Sequence, residues 1–278
     1  MLTTTIDGLW VLQVLTGIEV LAPELGLRPT LPSLETTQTA LAHPVTDELR
    51  AAGVLNESGK VDATVVEWLT VLARRDVALL IQVHTPADRR RRARALLVRF
   101  AQWWVVVERS EEMVRVGGAG TASAEGAANA VLNAQIERLC GINPPAPLRP
   151  VTLDAEALLA AVTNAETLHT FLRDQRLDGD QLRILTMGAD RKRSTQASIV
   201  ALQSGVETAG PTRTHIEPSV VTIIDTVEGR LVAEHVLSAG KKWMIIAPGT
   251  ASNIGAAVNN MLRRLPADQE WHSHRKAV

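Results

Sequence analysis

A nearly repeated phrase indicates how this chain is organised. One copy, at 120–139, reads GTASAEGAANAVLNAQIERL, and the other, at 249–265, reads GTASNIGAAVNNMLRRL. A glycine turn followed by Thr or Ser, residues that cap helix N-termini, predicts that each copy starts a helix. Neither copy has the lysine of a phosphate-binding P-loop or the glycine pattern of a dinucleotide site. The repeat therefore indicates a duplicated fold.

A second pair of similar segments extends this duplication to the start of each half. TIDGLWVLQVLT begins at Thr5, and TLDAEALLAAVT begins at Thr152. In each segment an extended pair of residues precedes Asp7 or Asp154, and we expect that carboxylate to cap the following helix. The stretch between these two repeated segments is longer in the first half than in the second. We assign most of the difference to the Pro-rich segment 21–33.

The elements between these landmarks come in the same order in both halves. Helical periodicity is followed by strand-like runs with polar turns, and then by the GTAS helix. Strands joined by a turn as short as that in DTVEGR, 225–230, must be antiparallel neighbours. We therefore predict an α+β fold made of two similar halves, 1–143 and 144–278, of four main strands each. The pattern leaves open whether the halves share one sheet.

Composition and charge restrict the classes of protein. The chain has 278 residues, of which 46% are hydrophobic and 21% charged, so it can bury a full core. A formal net charge of −1 gives little support to nucleic-acid or membrane-surface binding. Cys140 is the single cysteine, which fits a reducing compartment, and the apolar run 8–18 is too short to span a bilayer. We expect a cytoplasmic protein.

Local signatures of catalysis are missing from the sequence. There is no Gly-x-Ser-x-Gly elbow and no His-Glu-x-x-His motif. Glu270, His272 and His274 could hold a metal but lie in a polar tail, and Cys140 fits a small buried hydrophobe better than a nucleophile. We expect no catalytic residue, no cofactor and no metal. The alternative is an enzyme with a dispersed active site.

The most conspicuous charge feature is the run PADRRRRARA at 86–95. It places Arg89 to Arg92, and then Arg94, in an expected loop between two strands, where a solvated connection is the simplest interpretation. The loop could instead bind an acidic partner. A nucleic-acid-binding regulator is a second alternative, although it would ordinarily need a broader basic face and stacking aromatics.

Five short phrases together resemble the EspG family of mycobacterial type VII secretion chaperones. They are TTTIDGLWVL (3–12), LGLRPTLP (25–32), IIDTVEGRLV (223–232), APGT (247–250) and MLRRLP (261–266). The resemblance implies a central antiparallel β-sheet flanked by two helical bundles with quasi-two-fold symmetry. It also implies a non-enzymatic cytosolic adaptor that binds the PPE tip of a PE–PPE heterodimer in a 1:1:1 complex. Such an adaptor keeps the pair soluble and directs it to a type VII secretion system.

Candidate contact residues follow from strand alternation and from this resemblance. Trp103 and Trp104 point to opposite sheet faces, and we expect the mixed face with Trp104 to be accessible. The alternative is that this face packs under the protein's own helices. The resemblance adds the C-terminal bundle, where a basic turn would orient acidic groups. The partner-binding candidates are Trp104, Val106, Glu108, Arg191, Lys192, Arg193, Arg230, Val232, Glu234 and Met244.

Overall fold

One antiparallel sheet runs through the whole molecule. The computed structural model describes residues 1–86, 93–205 and 214–273, and these contain eleven strands. The strands are β1 (Leu2–Thr5), β2 (Val77–His84), β3 (Ala93–Phe100), β4 (Trp103–Ser110), β5 (Met113–Thr121), β6 (Val151–Asp154), β7 (Thr195–Ser204), β8 (Thr214–Ile216), β9 (Val221–Thr226), β10 (Gly229–Ser238) and β11 (Lys241–Pro248).

The strand order repeats the duplication seen in the sequence. It is β1-β5-β4-β3-β2-β7-β9-β10-β11-β6, with β8 beside β7. Read outward from the centre of the sheet, the first half runs β2-β3-β4-β5-β1 and the second half runs β7-β9-β10-β11-β6. In each half the central strand is followed by the next three main strands in chain order and then by the short first strand. A two-fold axis between β2 and β7 would produce this arrangement. The two halves share one sheet and contribute five main strands each, not the four expected, because the short strands β1 and β6 also pair.

Nine α-helices surround the sheet within the described residues. They are α1 (Ile6–Thr16), α2 (Thr37–Leu41), α3 (Val45–Ala51), α4 (Ala63–Arg74), α5 (Glu125–Cys140), α6 (Ala155–Ala161), α7 (Ala165–Asp174), α8 (Gly179–Ala189) and α9 (Ala251–Leu262). Two short 3-10 helices occur at Pro23–Leu25 and Asp268–Glu270. In this part of the chain no helix combines the length and apolarity that a membrane crossing requires.

Strand alternation divides the buried side chains between the two faces of the sheet. On one face α5 and α9, the closing helices of the two halves, pack over strand residues such as Ile81 and Ile199. On the other face α1 to α4 pack over residues such as Val107 at one end, and α7 and α8 pack over Leu231 at the other. The predicted α+β fold, with a central antiparallel sheet flanked by two helical bundles, is confirmed.

The helix starts show where the repeated phrases correspond. Thr250 accepts a hydrogen bond from the N–H of Asn253 at 3.1 Å and caps α9, as predicted. In the first copy α5 begins at Glu125, after Ala124, which makes no side-chain cap bond. Asp154 caps α6, but α1 is capped by the Thr5 hydroxyl and not by Asp7. The equivalent strands β1 and β6 thus end at Thr5 and Asp154. The sequence match pairs Thr5 with Thr152 instead, so the structural correspondence is shifted from it by two residues.

Candidate protein-binding surface

The sheet face that carries Trp104 and Val106 is closed. Each of these side chains is 1% exposed, and Val232 on the same face is 3% exposed. All three belong to the core beneath α5 and α9. The expectation that this face is accessible is therefore wrong. The closing helices of both halves cover it, as the alternative interpretation held.

Charged residues on this face contact the closing helices. The Glu108 carboxylate lies 2.5 Å from the Arg138 guanidinium of α5. Glu234 accepts a hydrogen bond from the Asn260 side chain of α9 at 3.3 Å. Both carboxylates are only partly exposed. Their contacts within the chain explain polar residues on a largely buried face.

Arg230 is a structural residue in the unbound chain. Its side chain is 4% exposed, and its Nε and Nη2 atoms each lie 2.7 Å from a carboxylate oxygen of Asp225. These bonds raise the pKa of the Arg230 guanidinium. Nη2 also donates to the carbonyl oxygens of Cys140 at 3.1 Å and Gly141 at 2.9 Å. The guanidinium therefore fastens the segment between the halves to β10, and the expectation that it is free for a partner is wrong.

The Cys140 thiol is shielded beside this ion pair. Burial raises the pKa of Cys140 to about 11. A thiol with such a pKa is almost entirely protonated near pH 7 and is a poor nucleophile. The small hydrophobic role expected of this cysteine agrees with its environment.

The opposite face of the sheet is partly open between the two bundles. Gln82 and His84 on β2 pair in register with Ser198 and Gln196 on β7, and Thr222 of β9 pairs with Ser198. Gln82 is exposed, and the other four are partly exposed. These five residues form what we call the central strip. Their polar side chains leave this part of the sheet wettable and accessible to another molecule.

A large groove lies in the C-terminal bundle. It encloses about 1220 Å³ between α6, α7 and α8. Its apolar lining comprises Leu158, Leu159, Val162, Leu168, Leu182 and Met187. Leu159 is 80% exposed, which is unusual for a leucine in a helix that packs on a core. We call this feature the bundle groove.

Positive charge lines one side of the bundle groove. Arg191, Lys192 and Arg193 lie on the turn after α8 and are all exposed. None of the three side chains has an ion-pair partner among residues 1–86, 93–205 and 214–273, whereas Arg183 is paired with Asp180 and Glu228. The three basic side chains therefore remain available to carboxylates of another protein.

Hydrogen bonds join this basic turn to the central strip. The Gln196 side chain donates to the Gly188 carbonyl at 3.1 Å and to the Ser194 hydroxyl at 3.2 Å. The Ser194 hydroxyl in turn shares its one proton between the backbone carbonyl oxygens of Gly188, at 3.0 Å, and Asp190, at 2.9 Å. These bonds hold the turn against the start of β7. The central strip and the bundle groove consequently form adjacent parts of one surface.

Only part of this surface was identified from the sequence. Arg191, Lys192 and Arg193 lie on it, whereas Met244 is partly buried against the core of the C-terminal bundle. The central strip was missed. The polar residues of β2 and β7 alternate with apolar ones, a pattern that was available in the sequence but did not reveal which bundle covers which strand.

Comparison with known proteins identifies the family. The model of the EspG family matches residues 5–260. The chain belongs to the EspG family. It is 51% identical to the ESX-2 secretion-associated protein EspG2 of Mycobacterium tuberculosis over the full length of both chains. It is also 24% identical to the ESX-5 secretion-associated protein EspG5 of Mycobacterium marinum, over 98% of this chain and 96% of that relative.

A solved EspG structure has the same fold. The Mycobacterium tuberculosis type VII secretion system chaperone EspG5, determined in complex with the PE25-PPE41 dimer, matches with a TM-score of 0.76. The match covers 98% of this chain and 99% of EspG5 at 22% sequence identity. The resemblance noted in the sequence is thus confirmed at the level of family and fold.

Proposed function

We propose that this protein is a non-enzymatic cytoplasmic chaperone of type VII secretion that binds PE–PPE heterodimers. Its EspG family membership and its 51% identity to a secretion-associated relative support this role. The EspG5 chaperone has the same fold and was determined in complex with a PE–PPE dimer, which supports the class of partner. The protein would keep the heterodimer soluble and direct it to its secretion system.

The observation that carries the proposal is the open apolar groove beside an open strip of sheet. A helical PPE tip with exposed aliphatic side chains would tend to self-associate. The bundle groove offers a complementary apolar surface, with Leu159 exposed at its edge. Arg191, Lys192 and Arg193 would attract carboxylates around the tip and set its orientation. We propose that the tip contacts both parts of the surface in a 1:1:1 complex.

This proposal can be tested with a candidate PE–PPE pair and two surface variants. Ser198→Arg places a large charged side chain in the central strip, and we expect it to cost about 2 kcal/mol or more of binding free energy if the strip is central to the interface. Arg191→Glu should mainly slow association and reduce its salt dependence. Calorimetry and stopped-flow fluorescence measure the two effects, and light scattering gives the stoichiometry.

The matched control is Ala130→Arg. Ala130 is exposed on α5, which covers the other face of the sheet, so this arginine should leave affinity unchanged. Circular dichroism establishes that each variant is folded. Parent-like binding by both Ser198→Arg and Arg191→Glu would exclude this surface. A complex of another stoichiometry would exclude the 1:1:1 assembly.

A further inference from the structure

A separate cleft lies in the N-terminal half, between α4 and strands β4 and β5. It encloses about 640 Å³, a volume suited to a small molecule. Its lining includes Trp68 from α4, Phe100 and Trp103 beside the turn between β3 and β4, and Gly118 and Gly120 from β5. It shares no lining residue with the bundle groove or the central strip. The proposed partner surface therefore does not account for it.

Aromatic side chains are concentrated in this cleft. The whole chain has six tryptophans, two phenylalanines and no tyrosine. Three of these eight residues, Trp68, Phe100 and Trp103, line the cleft with their side chains, whereas the Trp104 side chain packs on the opposite face of the sheet. Trp103 is 50% exposed, although the adjacent Trp104 is fully buried. A half-exposed indole beside other aromatic residues is typical of a ligand-binding position.

The backbone on the β5 side keeps the cleft open. The pairing of β4 with β5 shifts by one residue between Trp104 and Val105, so that Ala119 forms a bulge between Gly118 and Gly120. A side chain at Gly118 would start 3.3 Å from Nε1 of Trp68. Gly120 has a φ of +137°, which favours glycine. Gly118 thus leaves space beside the Trp68 indole, whereas a Cβ atom on Gly120 would point away from the cleft, to 3.1 Å from Val131 of α5.

The charge of the cleft indicates the class of ligand. Glu67 is the charged residue among the described lining residues, and its carboxylate has no ion-pair or hydrogen-bond partner among them. Aromatic rings attract cations through their quadrupoles, and a nearby carboxylate adds Coulomb attraction. We propose that this cleft binds a small organic cation with an alkylated ammonium group. The apolar alkyl substituents would contact the aromatic residues, and Glu67 would balance the charge.

The first test separates charge from shape. Choline and its neutral isostere 3,3-dimethylbutan-1-ol would each be titrated into the full-length protein and followed by saturation-transfer NMR. We expect saturable binding of choline and about ten-fold weaker binding of the neutral alcohol, because only choline gains the cation–aromatic attraction. Equal affinity for both compounds, or no binding of choline, would overturn the proposal.

The second test assigns the site by substitution. Trp103→Leu and Glu67→Gln change exposed residues, and each should weaken choline binding by about ten-fold. Trp243→Leu and Glu166→Gln change a tryptophan and a glutamate outside the cleft and should leave binding unchanged. If the two cleft variants bind choline as tightly as these controls, the cleft is not the site. The test uses no PE–PPE partner, so its result is independent of the proposed chaperone role.

Discussion

Arg230 holds three segments of the chain together. Its backbone N–H donates to the Pro144 carbonyl at 2.7 Å, and its own carbonyl accepts from Ala146 at 2.9 Å and from Gly249 at 2.7 Å. With the bonds to Asp225 and to Cys140, this residue connects β10, the segment between the halves and the turn before α9.

Replacing this arginine should destabilise the fold rather than only alter a surface. Arg230→Met removes the partner of Asp225, whose side chain is 15% exposed. Loss of one partner from a buried pair typically costs about 3–5 kcal/mol, because the remaining charge stays poorly solvated. Urea denaturation measures the change in the free energy of unfolding. Arg193→Met, at an exposed arginine without an ion-pair partner among the described residues, is the control, and similar midpoints for the two variants would contradict this role.

The two glycines of the repeated phrase are needed for different reasons. A Cβ atom on Gly249 would lie 2.1 Å from Cγ of Arg230, so a side chain there would displace the arginine. Gly120 instead has a left-handed backbone, with φ of +137°. Glycine is therefore required by side-chain packing at Gly249 and by backbone conformation at Gly120. The repeated phrase indicated duplication, but it could not distinguish these two causes.

At the scale of elements, carboxylates start two helices of the C-terminal bundle. Asp154 caps α6 through bonds of 3.0 Å to the N–H groups of Glu156 and Ala157, and Asp178 caps α8 through one of 2.8 Å to Gln181. The Lys241 ammonium, and then the Ala157 N–H, lower the pKa of Asp154. The Gln181 N–H, and then Arg149, lower the pKa of Asp178. Both helices therefore depend on ionised caps.

The bundle should loosen in acid before α9 does. A carboxyl group with a lowered folded-state pKa stabilises the fold above its unfolded pKa of about 4, and this contribution is lost as the pH falls through the folded value. Hydrogen-exchange protection of α6 and α8 should thus decline below about pH 4. The hydroxyl-capped α9 serves as the internal reference. The Asp154→Asn and Asp178→Asn double variant keeps cap acceptors but should lose this pH dependence. An unchanged pH profile would contradict the mechanism.

Sequence patterns predicted helices and strands more reliably than they predicted which faces of these elements are buried. Capping residues correctly indicated the starts of α9 and α6, because these signals are local. The face to which Trp104 points also follows from alternation. Whether that face is buried depends on α5 and α9, which arrive from distant parts of the chain. The central strip at Gln82 and Ser198 was missed for the same reason, since its exposure depends on where two bundles end.

At the scale of the whole molecule, the two halves share one core. The cluster beneath α5 and α9 contains Leu79 and Ile81 from the first half and Ile199 and Ile223 from the second. Strands β2 and β7 pair along eight residues across the boundary between the halves. The duplication in the sequence predicted two similar halves, and the strand order is consistent with that prediction. The duplication could not reveal this shared core, because the same order of elements would also fit two separate domains.

This shared core leads to a prediction about fragments. We expect residues 1–143 and 144–278, expressed separately, to aggregate or remain unfolded, because each would expose one central strand and half of the core. Mixed during refolding, they should form a 1:1 complex with the secondary structure of the intact chain. The Arg230 bonds to Cys140 and Gly141 would then join the two fragments non-covalently. Size-exclusion chromatography with light scattering and circular dichroism measure the outcome.

Two variants determine whether reassembly uses the central strands. Ile199 is fully buried and pairs with Ile81 across the boundary, so Ile199→Asp should prevent the fragments from associating. Gln196→Glu changes a partly exposed residue of the same strand and should permit association, because the hydrogen-bond partners that its side chain loses, Gly188 and Ser194, lie within the same fragment. If either fragment alone unfolds cooperatively as a monomer, the halves are independent domains. If Ile199→Asp reassembles as readily as Gln196→Glu, the β2–β7 pairing does not join them.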